Sequence, residues 1–197
     1  MHSPDAFRAV FAQAKPFAAY LQTCKVSERP NWDKVYAQVH LTADQQGVLR
    51  SFQRRVNALV ISGTWCGDCV QQCPIFARFA EAFPAQGQSD TPGVDVRFID
   101  RDEHAAFVAP FKICSGQRVP TVLWLNEDFD FISMLGDRTI SRYRAMAKAQ
   151  LGPSCPMPGA ALPADQLTAT INDWLAEFER VALICRLSGK LRQKHGD

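Results

Sequence analysis

The stretch Trp65-Cys66-Gly67-Asp68-Cys69 lies where a predicted strand turns into a predicted helix. Before it, the run 59–63 is apolar and partly β-branched, which is typical of a buried strand. After it, apolar side chains recur at helical spacing from residue 69 to residue 83. The pattern therefore predicts that the first cysteine lies at, or just before, the first turn of a helix.

Two cysteines in this position are typical of a redox centre. The first turn of a helix has unpaired backbone N–H groups and a positive dipole end, which favour a thiolate. Such a site lowers a cysteine pKa from about 8.5 into a range of roughly 3.5–7.5. We therefore expect Cys66 to be the reactive nucleophile. Cys69, one turn further on, can then attack a mixed disulfide on Cys66 and release the partner.

A metal site is the main alternative for this cysteine spacing. Cys-x-x-Cys pairs also bind zinc, usually as two pairs or as one pair with histidines. Here Cys73 follows Cys69, and neither a second pair nor a His-x-x-x-His pattern follows. The strand–helix context favours redox chemistry, so we expect no metal and no bound organic cofactor. A zinc or iron–sulfur site on Cys66, Cys69 and Cys73 stays open as a further class.

Composition narrows the class of protein. The chain has 197 residues, 47% of them hydrophobic and 21% charged, as expected for one globular domain with an extension. The formal net charge of +2 predicts no binding to nucleic acid or to a membrane surface. The N-terminus lacks a basic segment followed by an apolar one, so we expect no secretory signal. Seven cysteines with one motif pair do not resemble a disulfide-stapled secreted scaffold, and a cytoplasmic location fits best.

The beginning of the chain is predicted to be a helical extension. Residues 4–22 follow a helical pattern in which Pro16 could introduce a kink. A second helix is predicted at 32–40. A third helix is predicted from Thr42 to about Arg55, because a capping pattern marks its start.

The middle of the chain alternates between strand and helix patterns. Strands are predicted at 58–62, 94–100, 121–126 and 131–135, and helices at 69–83, 103–111 and 139–151. The turn residues 127–130 join the last two strands, which we therefore expect to be antiparallel. Crossover helices together with a terminal hairpin predict a mixed α/β sheet.

The end of the chain is predicted to return to helix. A proline-rich loop at 152–159 has too much proline for a helix or a central strand. A last helix is predicted at 164–187. The basic tail 190–195 is expected to be a solvated terminus.

Residues 58–151 resemble thioredoxin. The stretch Trp65-Cys66-Gly67-Asp68-Cys69 resembles the family's active-site segment, and Pro74 is at the position of the proline that kinks its active-site helix. Val119-Pro120-Thr121 resembles the segment with the family's cis-proline, and Gly136 is at the distance where the family has a glycine lining the substrate groove. The wholly helical flanks lie outside the resemblance, as in some bacterial thioredoxin-like proteins with N-terminal helical extensions.

The resemblance implies an α/β thioredoxin-like fold, in which a mixed central sheet is flanked by helices, with helical extensions at both termini. Residues 1–55 would be the N-terminal helical extension, and 56–151 the thioredoxin-like domain. Residues 152–197 would supply a proline-rich loop and a C-terminal helix packed on the same domain.

The resemblance also implies a thiol–disulfide oxidoreductase, and in particular a reductase of protein disulfides. Cys66 would attack as the nucleophile and Cys69 would act as the resolving thiol. The residues that would shape the groove and dock the substrate backbone are Trp65, Val119, Pro120 and Gly136. The expected partners are a disulfide-containing protein or a small-thiol substrate, and an unidentified electron-donating reductase, with no nucleic acid and no membrane.

The chain departs from the family at positions that affect proton transfer. Gly67 and Asp68, between the cysteines, would tune the pKa of the nucleophile. Thioredoxins usually have proline in place of Asp68, and a carboxylate there would raise that pKa because it disfavours a second negative charge. The family's buried aspartate and its lysine partner correspond to Val60 and Val96. That proton path is therefore missing, and Cys69 must lose its proton to water, to Asp68 or to a partner group.

A redox-inactive binding module or scaffold is the alternative function. The helical extensions would then cover the groove or dock a partner, since fold alone does not decide function. Among the other cysteines, Cys73 is expected to be a core side chain, with a third redox thiol as the alternative. Cys114 precedes the proline segment and is expected to be structural or exposed rather than regulatory. No motif surrounds Cys24, Cys155 or Cys185.

Overall fold

The fold is described by a computed structural model, and the described residues are 2–85, 91–151 and 164–196. The strands are β1 (Arg55–Ser62), β2 (Gly93–Asp100), β3 (Thr121–Leu125) and β4 (Phe131–Gly136). They form one sheet in the order β2-β1-β3-β4. The β1–β2 pair is parallel, whereas β1–β3 and β3–β4 are antiparallel. The predicted mixed sheet, with an antiparallel last pair, is confirmed.

The described helices surround this sheet. They are α1 (Pro4–Gln13), α2 (Phe17–Tyr20), α3 (Arg29–Gln38), α4 (Ala43–Arg50), α5 (Gly67–Ala82), α6 (Ala105–Val108), α7 (Ile140–Leu151), α8 (Gln166–Leu187) and α9 (Gly189–His195). A short 3₁₀ helix at Leu21–Thr23 follows α2. Among the described residues, none of these helices is both long and apolar enough to cross a bilayer.

Strand β1 leads the chain into the cysteine motif. Every residue of β1 after Arg55 is buried, because strands pair on both of its edges and helices cover the sheet. A near-continuous apolar run is expected for such a strand. Helix α5 begins directly after the motif's first cysteine and buries Cys69, Cys73 and Phe76, with Pro74 inside it. The predicted strand–turn–helix unit is therefore confirmed.

The N-terminal helix is broken before Pro16, where the sequence predicted a helix with a possible kink. The predicted helix 4–22 is instead α1, α2 and the 3₁₀ helix. The break follows from Pro16, which lacks a backbone N–H and disfavours helical geometry in the residue before it. The freed segment pairs with the sheet: the Lys15 N–H donates to the Phe98 carbonyl at 2.9 Å, and the Phe98 N–H donates back at 2.8 Å.

Two further helices are shorter than predicted. Helix α4 begins with the predicted capping box, in which Thr42 and Gln45 exchange hydrogen bonds. It ends before Arg55, which already belongs to β1. The predicted helix 103–111 is reduced to α6, because the Asp100 carboxylate accepts two backbone N–H bonds that hold the preceding residues in a turn.

The C-terminal tail is solvated as predicted, since residues 190–195 are exposed except for Leu191, but it also forms helix α9, which was not predicted. Lys194 Nζ lies 2.7 Å from Asp128 Oδ1, and His195 Nε2 lies 3.0 Å from Asp128 Oδ2. The basic residues of α9 thus face the acidic turn between β3 and β4, while Leu191 is buried beneath them. The predicted proline-rich loop 152–159 lies outside the described residues.

Both helical flanks contribute to one hydrophobic core with the sheet. Tyr20 and Trp32 from the N-terminal flank, Trp124 from β3 and Trp174 from α8 are all at most 1% exposed and belong to one cluster. Trp174 packs edge-on against Phe76 of α5, with ring centroids 4.7 Å apart. Both flanks therefore reach the helix that carries the cysteine motif.

Candidate active site

A tight turn connects β1 to the cysteine motif. The Cys66 N–H donates to the Gly63 carbonyl at 3.0 Å, and the Trp32 indole N–H donates to the Thr64 carbonyl at 2.9 Å. A Cβ at Gly63 would lie 2.8 Å from the Trp65 ring, so a larger residue here would displace that indole. The motif did not predict the role of Trp32, since it belongs to α3 in the N-terminal flank.

The two motif cysteines lie one helical turn apart and differ in exposure. Cys66 is the N-cap of α5, has an extended backbone and is half-buried, whereas Cys69 is fully buried. Both are free thiols. Cys66 Sγ donates to the Val119 carbonyl at 3.6 Å, and the Val119–Pro120 peptide bond is cis. The structure thus brings the predicted catalytic pair and the predicted docking segment together.

The pKa of Cys66 is raised, although a helix N-terminus alone predicts that it is lowered. Hydrogen bonding with the Cys69 thiol is the largest cause and burial is the next, while backbone N–H groups of Asp68 and Cys69 lower it by less. Burial also raises the pKa of Cys69. The two thiols titrate as a pair, and the second proton is held because its loss would place two negative charges side by side.

Asp68 is paired with two arginines at the exposed side of the motif. Its carboxylate accepts hydrogen bonds from both Arg138 and Arg142, with Arg138 Nε and Arg142 Nη2 each 3.1 Å from Oδ1. These guanidinium groups offset the negative charge that was expected to act on Cys66. The sequence signal for this pairing is weak, because Arg142 lies in α7 whereas Arg138 lies in the segment before that helix.

Gln72 is a fully buried amide beneath the motif. Its Nε2 donates to the Asp137 carbonyl at 2.9 Å and to the Asp68 carbonyl at 3.3 Å, and its Oε1 accepts from the Trp174 indole at 3.0 Å. Because a buried amide without partners is costly, these bonds tie α5 to α8 and to the segment after β4. Sequence reasoning missed Gln72, whose signal is a polar residue on the apolar face of the helix.

The predicted groove residues occupy distinct surroundings. A Cβ at Gly136 would lie 2.4 Å from the Pro120 carbonyl oxygen, so only glycine allows the two strands to approach this closely. Trp65 is 50% exposed, and the Arg101 guanidinium lies 4.7 Å from its ring centroid. Gly67 has open space where a side chain would stand. Trp65 therefore presents an open apolar surface beside the nucleophile.

The buried side of the site lacks the family's charged pair, as the sequence predicts. Val60 and Val96 are both buried. The polar groups that act on the Cys69 thiol from this side include the Cys73 thiol and the Ser62 hydroxyl. Cys73 is a buried core side chain, which confirms the first of its two expected roles.

The remaining cysteines lie in varied environments. Cys185 is buried, Cys24 is half-buried and Cys114 is exposed, while Cys155 lies outside the described residues. Within the described parts of the chain, no group of three or more His, Cys, Asp or Glu residues is arranged to hold a metal ion.

A comparison with models of known protein families assigns most of the chain to one family. A family model described as thioredoxin matches residues 14–150. The match begins within the segment predicted to be the N-terminal extension, and it includes the cysteine motif and the cis-proline segment. No curated protein matches the chain significantly.

Solved structures share this fold over most of the chain. A protein of unknown function, PA1234 from Pseudomonas aeruginosa, aligns with a TM-score of 0.65 at 17% identity and covers 92% of this chain and 97% of its own. An HIV epitope scaffold aligns with a TM-score of 0.58 at 17% identity, covering 89% of this chain and 92% of its own. Thioredoxin O2 from Arabidopsis thaliana, 16% identical, covers 55% of this chain and 87% of its own with a TM-score of 0.32. The first two likenesses show the fold alone.

Proposed function

We propose that this chain, which belongs to the thioredoxin family and has its α/β fold, is a thiol–disulfide oxidoreductase that reduces disulfides in other proteins. The observation that carries the proposal is the Cys66 thiol, which caps α5 and lies 3.6 Å from the Val119 carbonyl. A sulfur in this position can attack a disulfide docked against the Val119–Pro120 segment. Cys69, buried one turn behind, is the resolving thiol.

In the first step, the Cys66 thiolate attacks one sulfur of the substrate disulfide. The substrate S–S bond breaks, a new S–S bond forms to Cys66, and the other substrate sulfur leaves as a thiolate that takes up a proton. The backbone N–H groups of Asp68 and Cys69 and the positive end of α5 stabilise the attacking thiolate. The arginines paired with Asp68 prevent its charge from opposing this step.

In the second step, the Cys69 thiolate attacks the sulfur of Cys66. The mixed disulfide breaks, the remaining substrate sulfur leaves as a thiolate, and a Cys66–Cys69 disulfide forms. Two electrons have then passed from the protein to the substrate. An electron-donating reductase must return two electrons to the protein before the next cycle.

The substrate backbone would dock against Val119. Once Cys66 is bound covalently to substrate, the Val119 carbonyl is free to accept a hydrogen bond from an extended substrate segment. Trp65 would contact apolar substrate side chains, and Gly136 would keep the groove open. We propose a disulfide-containing protein or a small-thiol disulfide as substrate, a cytoplasmic setting, and no nucleic-acid or membrane partner.

Insulin reduction tests the proposed activity. With dithiothreitol as electron donor, the wild-type protein should precipitate insulin faster than Cys66→Ser, which should show only the uncatalysed rate. Cys114→Ser removes an exposed thiol outside the motif and should keep the wild-type rate. A wild-type rate equal to that of Cys66→Ser overturns the proposal. Mass spectrometry that finds no Cys66–Cys69 disulfide after mild oxidation would favour the binding-module alternative.

Trapping identifies the class of substrate. Cys69→Ser cannot complete the second step, so it should hold substrates on Cys66 as stable mixed disulfides. Capture of proteins from a cell extract by this variant, but not by the Cys66→Ser/Cys69→Ser double variant, supports a protein reductase. If it captures no protein while Cys66 still reacts with a small disulfide, the substrate is a small-thiol disulfide instead.

A further inference from the structure

A group of buried hydroxyl and thiol side chains lies behind Cys69. Ser62 and Cys73 are 0% exposed and Tyr20 is 1% exposed. Ser62 Oγ lies 3.6 Å from Cys73 Sγ, and both side chains affect the pKa of the Cys69 thiol, one helical turn before Cys73. The positions that correspond to the family's carboxylate and lysine are the buried Val60 and Val96, which cannot take up a proton.

The Tyr20 hydroxyl is an unsatisfied donor in this group. It is buried and makes no hydrogen bond of ordinary distance and angle. Burial raises the pKa of Tyr20, and the Ser62 hydroxyl is near enough to oppose part of that effect. Negative charge on Cys73 or Cys69 would raise the pKa of Tyr20 further, so the hydroxyl lies near both thiols. A buried donor without a partner is costly, and such groups call for an explanation in the function of the site.

Aromatic packing holds the Tyr20 ring in place. Phe98 of β2 stacks on it with ring centroids 5.3 Å apart, and Trp32 of α3 packs edge-on at 6.0 Å. The backbone bridge between Lys15 and Phe98 fixes the start of the segment that leads into α2. The N-terminal flank therefore presents a rigid phenol to the interior of the active site.

We propose that Ser62 and Tyr20 stabilise the Cys69 thiolate during the resolving step, in place of the missing aspartate–lysine pair. Ser62 would be a catalytic residue, because its hydroxyl would donate a hydrogen bond to the reacting sulfur. Tyr20 would be a positioning residue that donates to Ser62. This inference rests on the proposed function, since Cys69 acts as a nucleophile only when it resolves a mixed disulfide.

The resolving step balances without a further reagent. Cys69 loses its proton, its thiolate attacks the sulfur of Cys66, and the bond from Cys66 to the substrate sulfur breaks. The substrate sulfur leaves with the electron pair and takes up a proton. The substrate cysteine is thereby reduced, and the two protein cysteines end in one disulfide.

The Ser62 and Tyr20 hydroxyls would stabilise the ionised form of Cys69 more than its neutral thiol. When Cys69 is ionised, Ser62 can turn its O–H towards the sulfur and accept a hydrogen bond from Tyr20 with its oxygen. Hydrogen bonds to an ionised acceptor are roughly twice as strong as neutral ones. Because the Tyr20 donor is unsatisfied in the resting dithiol, its bond is gained only in the reacting state. Such differential stabilisation accelerates a step rather than merely tightening the fold.

The titratable groups around the resolving thiol come from three elements. Cys66, the N-cap of α5, and Cys73 within α5 affect the pKa of Cys69, and the Tyr20 hydroxyl of α2 lies near it. Asp100, at the end of β2, acts on Tyr20, and its carboxylate already accepts two backbone N–H bonds. The pH dependence of the resolving step therefore reports the ionisation of Cys69 within this fixed set of neighbours.

Reaction with dithiobis(nitrobenzoate) separates the two steps. The experiment uses the full chain with serine in place of Cys24, Cys114 and Cys155. Attack by Cys66 releases one coloured thionitrobenzoate, and resolution by Cys69 releases a second. Stopped-flow absorbance over a range of pH gives the rate of each phase, and the same chain carrying Cys66→Ser supplies the background from other thiols.

Tyr20→Phe and Ser62→Ala should each slow the second phase and leave the first unchanged. We expect the midpoint of the second-phase rate against pH to rise by about one pH unit. Below that midpoint the rate should fall about threefold, because a more basic thiolate is scarcer but more nucleophilic. The Tyr20→Phe/Ser62→Ala double variant should be no slower than Ser62→Ala, since Tyr20 acts through Ser62.

Tyr36→Phe is the matched control. It also removes a tyrosine hydroxyl from the N-terminal flank, but that hydroxyl bonds to Glu81 and Arg78. Both phases should keep their wild-type rates. If the second phase in Tyr20→Phe and Ser62→Ala is unchanged, or is slower with the same midpoint pH, the inference is overturned but the proposed function is not. A wild-type chain with no first phase above the Cys66→Ser background overturns both the inference and the proposed function.

Discussion

The two helical flanks contact the active-site helix α5 in different ways. The N-terminal flank supplies Trp32, which fixes the turn before the motif through the Thr64 carbonyl. It also supplies Tyr20, whose buried hydroxyl lies near the buried thiols. The C-terminal flank supplies Trp174, which donates to Gln72 beneath the motif. One flank therefore positions groups around the reacting sulfurs, whereas the other braces the helix that carries them.

This division predicts different outcomes for substitutions in the two flanks. Loss of a bracing contact should lower the free energy of unfolding, because a buried side chain and its hydrogen bond are lost together. Loss of a positioning contact should change rates or potentials at a smaller cost in stability. The predictions below run from the largest expected effect to the smallest.

Trp174→Ala should destabilise the protein most. The side chain is fully buried, and truncation of a buried tryptophan costs about 3–5 kcal/mol. Trp174→Phe is the matched control: it keeps an aromatic ring but leaves Gln72 Oε1 without its donor, at a cost of about 1–3 kcal/mol. Urea unfolding measures both. A loss below about 1 kcal/mol for Trp174→Ala would show that the C-terminal flank does not brace α5.

Trp32→Phe should loosen the turn before the motif. It removes the donor to the Thr64 carbonyl, so we expect a loss of about 1–3 kcal/mol together with a slower first phase in the dithiobis(nitrobenzoate) assay. Trp124→Phe is the control, because its buried indole N–H has no hydrogen-bond partner. It should keep the wild-type rate of the first phase. Equal rates for the two variants would contradict a positioning role for Trp32.

Asp68→Asn should make the protein a stronger oxidant. It leaves Arg138 and Arg142 beside the Cys66 thiolate without their counter-charge, so the pKa of Cys66 should fall. A stabilised thiolate raises the reduction potential, by about 30 mV for about 1.4 kcal/mol. Thiolate absorbance near ~240 nm against pH and a glutathione equilibrium measure the two changes.

Asp68→Pro should shift the potential by less than Asp68→Asn does. It restores the residue that thioredoxins usually carry and removes the same negative charge. It also removes the Asp68 backbone N–H, which lowers the pKa of Cys66 in the native chain. A larger shift in Asp68→Pro than in Asp68→Asn would show that this N–H contributes nothing to the thiolate.

Substitution of Asp137 should have the smallest effect, a change in the free energy of unfolding that is seen only at acidic pH. Burial acts to raise its pKa, but the Tyr143 hydroxyl and the Arg138 charge outweigh it, so the pKa is lowered. A carboxyl whose folded pKa lies below its unfolded value stabilises the fold above the unfolded value, and this contribution is lost as pH falls through the folded pKa. The free energy of unfolding should therefore fall more steeply below about pH 4 in the wild type than in Asp137→Asn. Parallel slopes in urea titrations would contradict this.

The parts of the fold that could be predicted from sequence are those with local signals. The β-branched run before the motif, the apolar spacing after it and the capping box at Thr42 each depend on neighbouring residues. At Pro16 the sequence predicted only a kink. The helix is instead interrupted there, because the Lys15 backbone pairs with Phe98, a residue far along the chain. Helix α9 was missed for a similar reason, since its partner is Asp128 in the β3–β4 turn.

The residues of the candidate site also differ in whether a local sequence signal predicts them. The cysteine pair, the Val119–Pro120 segment and Gly136 could be predicted because they are short motifs at characteristic separations. The ion pairs of Asp68, the bonds of Gln72 and the approach of Tyr20 to Ser62 could not. Each of these joins residues that are distant in sequence and that carry no recognisable local pattern.

The bridge between Lys15 and Phe98 also bears on aggregation. Strand β2 is the outer strand of the sheet, and the unpaired N–H and C=O groups of such a strand are a template for another chain. Lys15 takes up both groups of Phe98, while Phe83 and Ala85 take up those of Val94. The chain thus caps much of this edge with its own backbone and places a lysine on its rim, which discourages intermolecular strand addition where the N-terminal segment crosses the sheet.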